Sequence, residues 1–384
     1  MKQINKELVL KELGIYIHIP FCKQKCYYCD FYSLPNNENL IEQYIKTLLE
    51  EINEFFKLNK GKYNITTIYI GGGTPSYIDS KYINDIIYKI KENVKINKNV
   101  EITIEINPGT VNEQKLKEYY KSGINRLSIG LQSTDNVLLK KIGRIHTYEE
   151  FVKNYKMARD IGFENINIDL MLALPEQQIK DLEESVDKII KLNPEHISVY
   201  SLILEEDTKL YEMIKNKVYN LPNDKEERIM YWNTKQQLEQ NGYIHYEISN
   251  FCKNGFTSKH NINCWEQKEY IGFGAGAHSY INLKRFSNIC DIKKYINNRK
   301  ENITIHEIQD KNMQMKEYMI LALRKLDGIN LKQFKEKFNT DATTIFEKEI
   351  DKLIKEELIK VDKTNIKLTN KGLDFANIVW QEFV

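Results

Sequence analysis

The 384-residue sequence predicts an α/β fold, a parallel barrel or open partial (β/α)6 barrel followed by a smaller winged-helix-like α+β module. Three observations lead there. Six short runs rich in β-branched residues alternate with longer amphipathic stretches. Polar or glycine-rich residues recur at the C-terminal ends of those runs, the face on which α/β barrels carry their chemistry. From about residue 312 the pattern changes to three helix-like stretches and a hairpin-like ending.

The first strand is "GIYIHIP" (14–20), and apolar residues at helical spacing from about 40 to 58 form the first helix. "TTIYIGGG" (66–73), "VEITIEINP" (100–108), "RLSIGLQS" (126–133), "NINIDLMLALP" (165–175) and "HISVYSLIL" (196–204) continue the series. Helices are expected between them near 80–95, 113–121, 148–161 and 178–191. The strands are nearly continuous in apolar residues, as expected when helices cover both faces. Residues 206–304 read as a less regular extension, with a helix near 224–241, a strand-like "YIHYEIS" (243–249) and the glycine-rich "YIGFGAGAHSY" (270–280). The expected organisation is a barrel over 1–205, this extension, and a C-terminal module over 305–384.

Lys and Arg number 56 against 54 Asp and Glu, mixed along the chain, so no electrostatic footprint for nucleic acid stands out. The winged-helix-like ending is nearly balanced in charge and reads as a lid or docking module, not a DNA reader. No apolar run approaches the ~20 residues that span a bilayer. The opening "MKQINKELVLKELG" lacks the features of a secretory leader. The expected location is the cytoplasm, where clustered cysteines serve as metal ligands or catalytic groups more often than as disulfides.

Cys22, Cys26 and Cys29 form C-x3-C-x2-C directly after the first strand. Three thiolates on a tight loop can hold three corners of a [4Fe–4S] cluster and leave one iron with an open position. The spacing alone leaves open a structural zinc, completed by His18 or a remote cysteine, and three unligated thiols. "GGGTPS" (71–76) ends the second strand; its glycines let backbone approach a ligand and offer N–H groups to a carboxylate. Glu105, Gln132, Arg144 and Asp169 fall on the same rim. Polar residues there often only cap strands, but this set can also bind a zwitterion and a ribose. Arg144 suits the carboxylate, and Glu105, Gln132 and Asp169 suit hydroxyls or ammonium.

The cysteine spacing after a first strand resembles the radical S-adenosylmethionine (SAM) superfamily. The resemblance implies a radical SAM partial barrel in which SAM chelates the open iron. An electron from the cluster then cleaves the sulfonium to methionine and a 5′-deoxyadenosyl radical. The rim is similar in order and spacing to the oxygen-independent coproporphyrinogen III oxidase branch. That likeness implies a SAM pocket of Tyr16, Gly72, Gly73, Thr74, Glu105, Gln132, Arg144 and Asp169, with Ile203 and His278 near SAM.

Two branches compete. The oxidase, which decarboxylates two propionates of coproporphyrinogen III, carries a further cysteine two positions after the third ligand; here that position is Phe31. It also has a long segment ahead of the first strand, where Tyr16 here follows a short lead. "HIPFCKQKCYYCDFYS" instead resembles the HemW branch of heme chaperones, which carries an HNxxYW motif associated with heme handling. This chain has "HNINCW", with His260, Asn261 and Trp265 in place and Cys264 where the family has Tyr. That exchange removes a phenol and adds a thiol able to ligate heme iron. His260 or His278 could serve as an axial ligand beside Trp265, Tyr270 and Phe273, although such a histidine is more often a hydrogen-bonding or core residue. Cys252 and Cys290 read as buried thiols, and His146 and His196 have no partner legible in the sequence. The resemblance thus implies a [4Fe–4S] cluster, SAM, heme as cargo, acceptor hemoproteins that include respiratory-chain proteins, a reductant protein, peripheral membrane contact and a homodimer. The alternatives are a coproporphyrinogen dehydrogenase making protoporphyrinogen IX and an unassigned radical SAM oxidoreductase.

Overall fold

The computed structural model describes residues 10–35, 37–94 and 96–384. Residues 1–9 of the stretch read as lacking a leader, and Lys95 at the end of the second expected helix, lie outside them. The first half alternates as the sequence predicts. β1 (Lys11–Ile19), α1 (Ile41–Leu58), β2 (Tyr63–Gly72), α2 (Ser80–Asn93), β3 (Ile96–Ile106) and α3 (Glu113–Ser122) are followed by β4 (Arg126–Gln132). Then come α4 (Asn136–Lys141), α5 (Tyr148–Ile161), β5 (Ile166–Leu172), α6 (Ile179–Leu192) and β6 (His196–Ser201). All six strands run parallel and pair in sequence order. Local chemistry sets the helix ends. Asn112 and Thr147 accept from N3 amides, and Gly123 and Gly162 close α3 and α5 in the left-handed conformation.

Strands β1 to β3 begin three or four residues earlier than apolar content predicts, because backbone pairing such as Lys11 with Tyr63 needs no apolar side chain. Strand β5 stops at Leu172, short of the expected 175, where Ala173 takes a positive φ of 60°.

The runs that read as continuously apolar divide by alternation. In β4, Leu127, Ile129 and Leu131 join the main core, whereas Arg126, Ser128, Gly130 and Gln132 line an interior cavity. In β5, Ile168 and Leu170 pack into the core while Asn167 and Asp169 line the cavity. The barrel interior is polar, and the helix-facing side is the hydrophobic one.

Residues 206–308 build onto the same sheet, so the boundary expected at 304/305 falls inside its last strand. They comprise α7 (Lys209–Lys215), α8 (Asp224–Gln240), β7 (Ile244–Glu247), β8 (Asn250–Cys252), α9 (Lys259–Trp265), β9 (Tyr270–Phe273), β10 (His278–Ile281), β11 (Lys284–Asn288), α10 (Ile292–Asn298) and β12 (Ile303–Ile308). The segment "HNINCW" is therefore helical. Strand β9 pairs parallel with β1, and β8 pairs antiparallel with β6. The result is an open 12-stranded sheet ordered β12-β11-β10-β9-β1-β2-β3-β4-β5-β6-β8-β7. A Cβ on Gly272 would fall on the His278 carbonyl, so the β9–β10 hairpin requires glycine there.

The winged-helix-like module begins with α11 (Lys311–Ala322). Helices Leu331–Phe338 and Glu347–Lys355 then pack on a three-stranded sheet of Ile329–Asn330, Asn365–Leu368 and Ile359–Val361. It has its own core, including Phe334, Phe346, Leu353 and Ile366. Backbone bonds Ile248 N to Arg324 O (3.1 Å) and Leu326 N to Tyr246 O (3.0 Å) tie it to the sheet. Among the described residues no helix is long and apolar enough to cross a membrane.

Candidate cofactor site

Strand β1 ends at Ile19, and the chain enters a loop closed by a two-residue pairing of Phe21–Cys22 with Leu34–Pro35. Tyr27 N donates to Ile142 O (3.0 Å) and Gln24 Nε2 to Gly143 O (3.1 Å), pinning this loop against the segment that carries Arg144. Cys22, Cys26 and Cys29 all open onto one cavity of about 510 Å3, a size ordinary for small-molecule and cofactor pockets. Burial pushes the Cys22 thiol up to about 11 and raises Cys29 as well, so these two thiols are protonated in the metal-free protein. Binding a metal group would release those protons. Among the described residues no three His, Cys, Asp or Glu side chains are close enough to hold a single metal ion. Three thiols opening on one cavity are a donor set of the kind that holds an iron–sulfur group.

The glycine-rich turn after β2 lies against the cysteines. Gly73 N donates to Ile19 O (2.9 Å) and Thr74 N to Phe21 O (2.9 Å). A Cβ on Gly73 would sit 2.8 Å from Cys22 Sγ, so only glycine permits this approach. Gly72 N donates to Glu105 Oε2 (3.2 Å) and Tyr69 Oη to Glu105 Oε1 (2.8 Å). Burial outweighs these bonds and pushes the Glu105 carboxyl up to about 7.

Arg144 bridges loop and barrel. Its Nη1 donates to Cys26 Sγ (3.5 Å), and its Nη2 donates to Asn107 Oδ1 (2.9 Å) and to the Gly130 carbonyl. Burial opposes its charge, but the Cys26 sulfur holds its pKa above the usual value. Gln132, at a positive φ of 74°, accepts from Tyr200 Oη (2.9 Å). Asp169 accepts from Asn167 Nδ2 (2.7 Å), and burial raises its carboxyl.

Gly72, Gly73, Thr74, Glu105, Gln132, Arg144, Asp169, Ile203 and Asn261 share the cavity with the three cysteines. The structure sets the other candidates elsewhere. Tyr16 is one layer behind, its hydroxyl 3.0 Å from His18 Nδ1 and its ring against Tyr69. His260 is a core histidine: Nδ1 lies 2.9 Å from Thr67 Oγ1, the ring stacks on Tyr69, and burial pushes its pKa down to about 4. Trp265 lies under the Arg324 guanidinium (4.4 Å), at the joint with the C-terminal module. His278 is exposed and stacks on His306, with ring centroids 5.3 Å apart. Cys252 is buried as read from the sequence; Cys290 is exposed, which corrects that reading, because it lies in the bend between β11 and α10, outside the sheet. The two histidines without a legible partner have them: His146 Nε2 lies 3.2 Å from Leu131 O, and His196 bonds Asn167 and Tyr246.

Sequence reading missed Tyr69, Asn107, Arg126, Ser128, Asn167, Ser198 and Tyr200 on the cavity wall. For the last five the signal was the polar residue at every second position of β4, β5 and β6. At the mouth, Phe31 and Ile203 are large apolar side chains 64% and 70% exposed.

Comparison with known proteins follows the same division. The radical SAM superfamily model matches residues 16–189 and the HemN C-terminal domain model matches 309–375. The chain is 36% identical over 378 residues to heme chaperone HemW of Lactococcus lactis, covering 98% of each. It is 37% identical over 375 residues to heme chaperone HemW of Bacillus subtilis, covering 96% of this chain and 98% of that one. Coproporphyrinogen III oxidase (HemN) from Escherichia coli superposes with a TM-score of 0.85 at 23% identity, over 97% of this chain and 90% of that one; this likeness is one of fold.

Proposed function

The chain belongs to the HemW family within the radical SAM superfamily, and from that premise we propose that it binds heme and delivers it to acceptor hemoproteins. In this reading Cys22, Cys26 and Cys29 hold a [4Fe–4S] cluster with SAM beside it. The donor set fits: three thiols open on one cavity, with the Arg144 cation against Cys26. When bound, the cluster supplies an electron, delivered by a reductant protein, and an iron position for the amino-acid group of SAM. Arg144 orients a carboxylate and offsets thiolate charge. Glu105, protonated or not near neutral pH, receives an ammonium or hydroxyl while tying the glycine turn to β3.

The observation that carries the heme reading is the cavity mouth. Phe31 and Ile203 leave apolar surface in water there, which a flat apolar ligand would cover. Phe31 also stands where the oxidase resemblance calls for a cysteine. His260, buried and bonded to Thr67, is not an accessible axial ligand in this conformation, so the reading puts first contact of the porphyrin at the mouth.

The test reconstitutes the cluster anaerobically. Heme binding and transfer are then measured beside coproporphyrinogen turnover with SAM and reductant. The expected result is heme bound and passed on without decarboxylation; turnover to protoporphyrinogen IX would reverse the assignment.

A further inference from the structure

Below the rim, the cavity continues to a floor that the cluster and SAM reading does not use. Arg126 opens β4 and lines that cavity although it is only 2% exposed. Its Nε has no hydrogen-bond partner among the described residues. Neither Glu105 nor Asp169 forms an ion pair with it, though both feel its charge. A buried guanidinium without an acceptor is costly, and native interiors rarely keep one idle. Arg144 differs at its Nη groups: its Nε is also unpartnered, but Nη1 is engaged by a sulfur and Nη2 by an amide oxygen and a carbonyl.

Polar uncharged side chains line the floor beside the Glu105 and Asp169 carboxyls. Ser128, Asn167, Ser198, Asn250 and Asn261 line the same cavity. Asn250 Oδ1 and Thr103 Oγ1 are likewise buried without partners, and Thr103 is the register partner of Arg126 between β3 and β4. His196 and His260, also within range of the Arg126 charge, are buried, and both have lowered pKa values, first through burial and then through Arg126. Six residues of strand separate Arg126 from Gln132, a Cα span of ~20 Å, so this subsite is at the opposite end of the barrel from the cysteine loop.

We propose that the Arg126 floor is a second ligand subsite that anchors a single carboxylate, alongside the SAM position. A planar fork of donors matches a carboxylate in two-point contact. Glu105 and Asp169 nearby disfavour a dianion such as phosphate, whereas a monoanion with a neighbouring hydroxyl or ammonium group meets both the cation and the unpartnered Asn250 oxygen. This chemistry is shared by a small organic acid and by the propionate arm of a porphyrin. The inference rests on the cofactor reading only for which end of the cavity is left free.

The experiment compares the full chain, Arg126→Met and Arg126→Lys, with folding checked by circular dichroism. Thermal midpoints are recorded without ligand and with propionate, lactate or inorganic phosphate. Heme and its dimethyl ester are titrated by absorbance. Without ligand, Arg126→Met is expected to raise the midpoint by ~2 °C or more by removing an idle buried charge. Propionate or lactate protection of the wild type, lost in Arg126→Met, assigns a small acid. A tenfold or greater preference for heme over its ester, lost in the same variant, assigns a porphyrin arm. Acid protection without any heme binding would sink the heme reading and leave the subsite standing. Protection by phosphate in preference to the acids, or no difference between wild type and Arg126→Met with every probe, overturns the subsite. Should Arg126→Met fail to fold, the same comparisons on Arg126→Lys decide, because it keeps the charge and loses the two-point geometry.

Discussion

Glu105 illustrates how one buried carboxyl couples the site to pH. Burial pushes its pKa up to about 7, above its ordinary 4.5. The folded state therefore favours the protonated acid, so this stability is fully present below pH 4.5 and lost as pH rises through 7. Glu105→Gln keeps an acceptor for the Tyr69 hydroxyl. In the ligand-free protein it is expected to gain up to about 3 kcal/mol over wild type at pH 8 and almost nothing at pH 4.5. Urea unfolding at the two pH values measures this, and an equal gain at both would refute it. Gly73 has the opposite character, being constrained by contact and not by charge. Gly73→Ala puts a methyl group 2.8 Å from Cys22 Sγ and 3.0 Å from the Phe21 carbonyl. The expected outcome is a several-fold loss of iron and sulfide per chain after reconstitution, with the circular dichroism spectrum unchanged.

Among the elements, α9 shows how a short helix is fixed by its tertiary setting. Seven residues are too few for a stable helix by themselves. Glu101 of β3, itself 5% exposed, accepts from Lys259 N and His260 N, both at 3.1 Å, at the first turn. Thr67 of β2 holds the His260 ring. Replacing Glu101 by Ala removes both acceptors and is expected to cost ~1–2 kcal/mol, read from the urea midpoint. Hydrogen exchange should rise across residues 258–266 first; uniform loss of protection would argue against a local role. In the sequence this segment carried only a motif, because neither of its anchors is nearby in the chain.

At the scale of the whole molecule, Arg324 stands at the centre of one of the contacts that dock the C-terminal module. Arg324 lies 4.4 Å from the Trp265 ring and 4.8 Å from the Trp380 ring, joining α9 to the last helix of the chain. Burial raises the Glu247 carboxyl, and Arg324 is the largest influence opposing that rise. Asp374 adds a second tie, accepting from Trp232 Nε1 at 2.9 Å and pairing with Arg228 at 3.2 Å. Arg324→Ala removes the stack and the cation facing Glu247, which keeps only its bonds from Ser249 N and Asn250 Nδ2, and is expected to cost ~2–3 kcal/mol. The check is calorimetry, where a separate early transition for residues 311–384 is expected in place of a single one.

Sequence alone determined what is written locally. The strand–helix alternation, the cap residues, the three-cysteine spacing and the glycine turn all follow from periodicity and from residues within a few positions of one another. Glu105, Gln132, Arg144 and Asp169 were legible because each stands out in its own short stretch: Glu105 and Gln132 at strand ends, Asp169 inside β5, and Arg144 in the loop after α4. Tertiary structure decided what depends on distant partners. It placed β9 beside β1 across more than 250 residues of chain, made the barrel interior polar, buried His260 and left Phe31 in water. It also left Arg126 facing an open floor with its Nε unpartnered. Pairing partners and burial are properties of the assembled sheet, set by contacts far apart in sequence, so no window along the chain contains them.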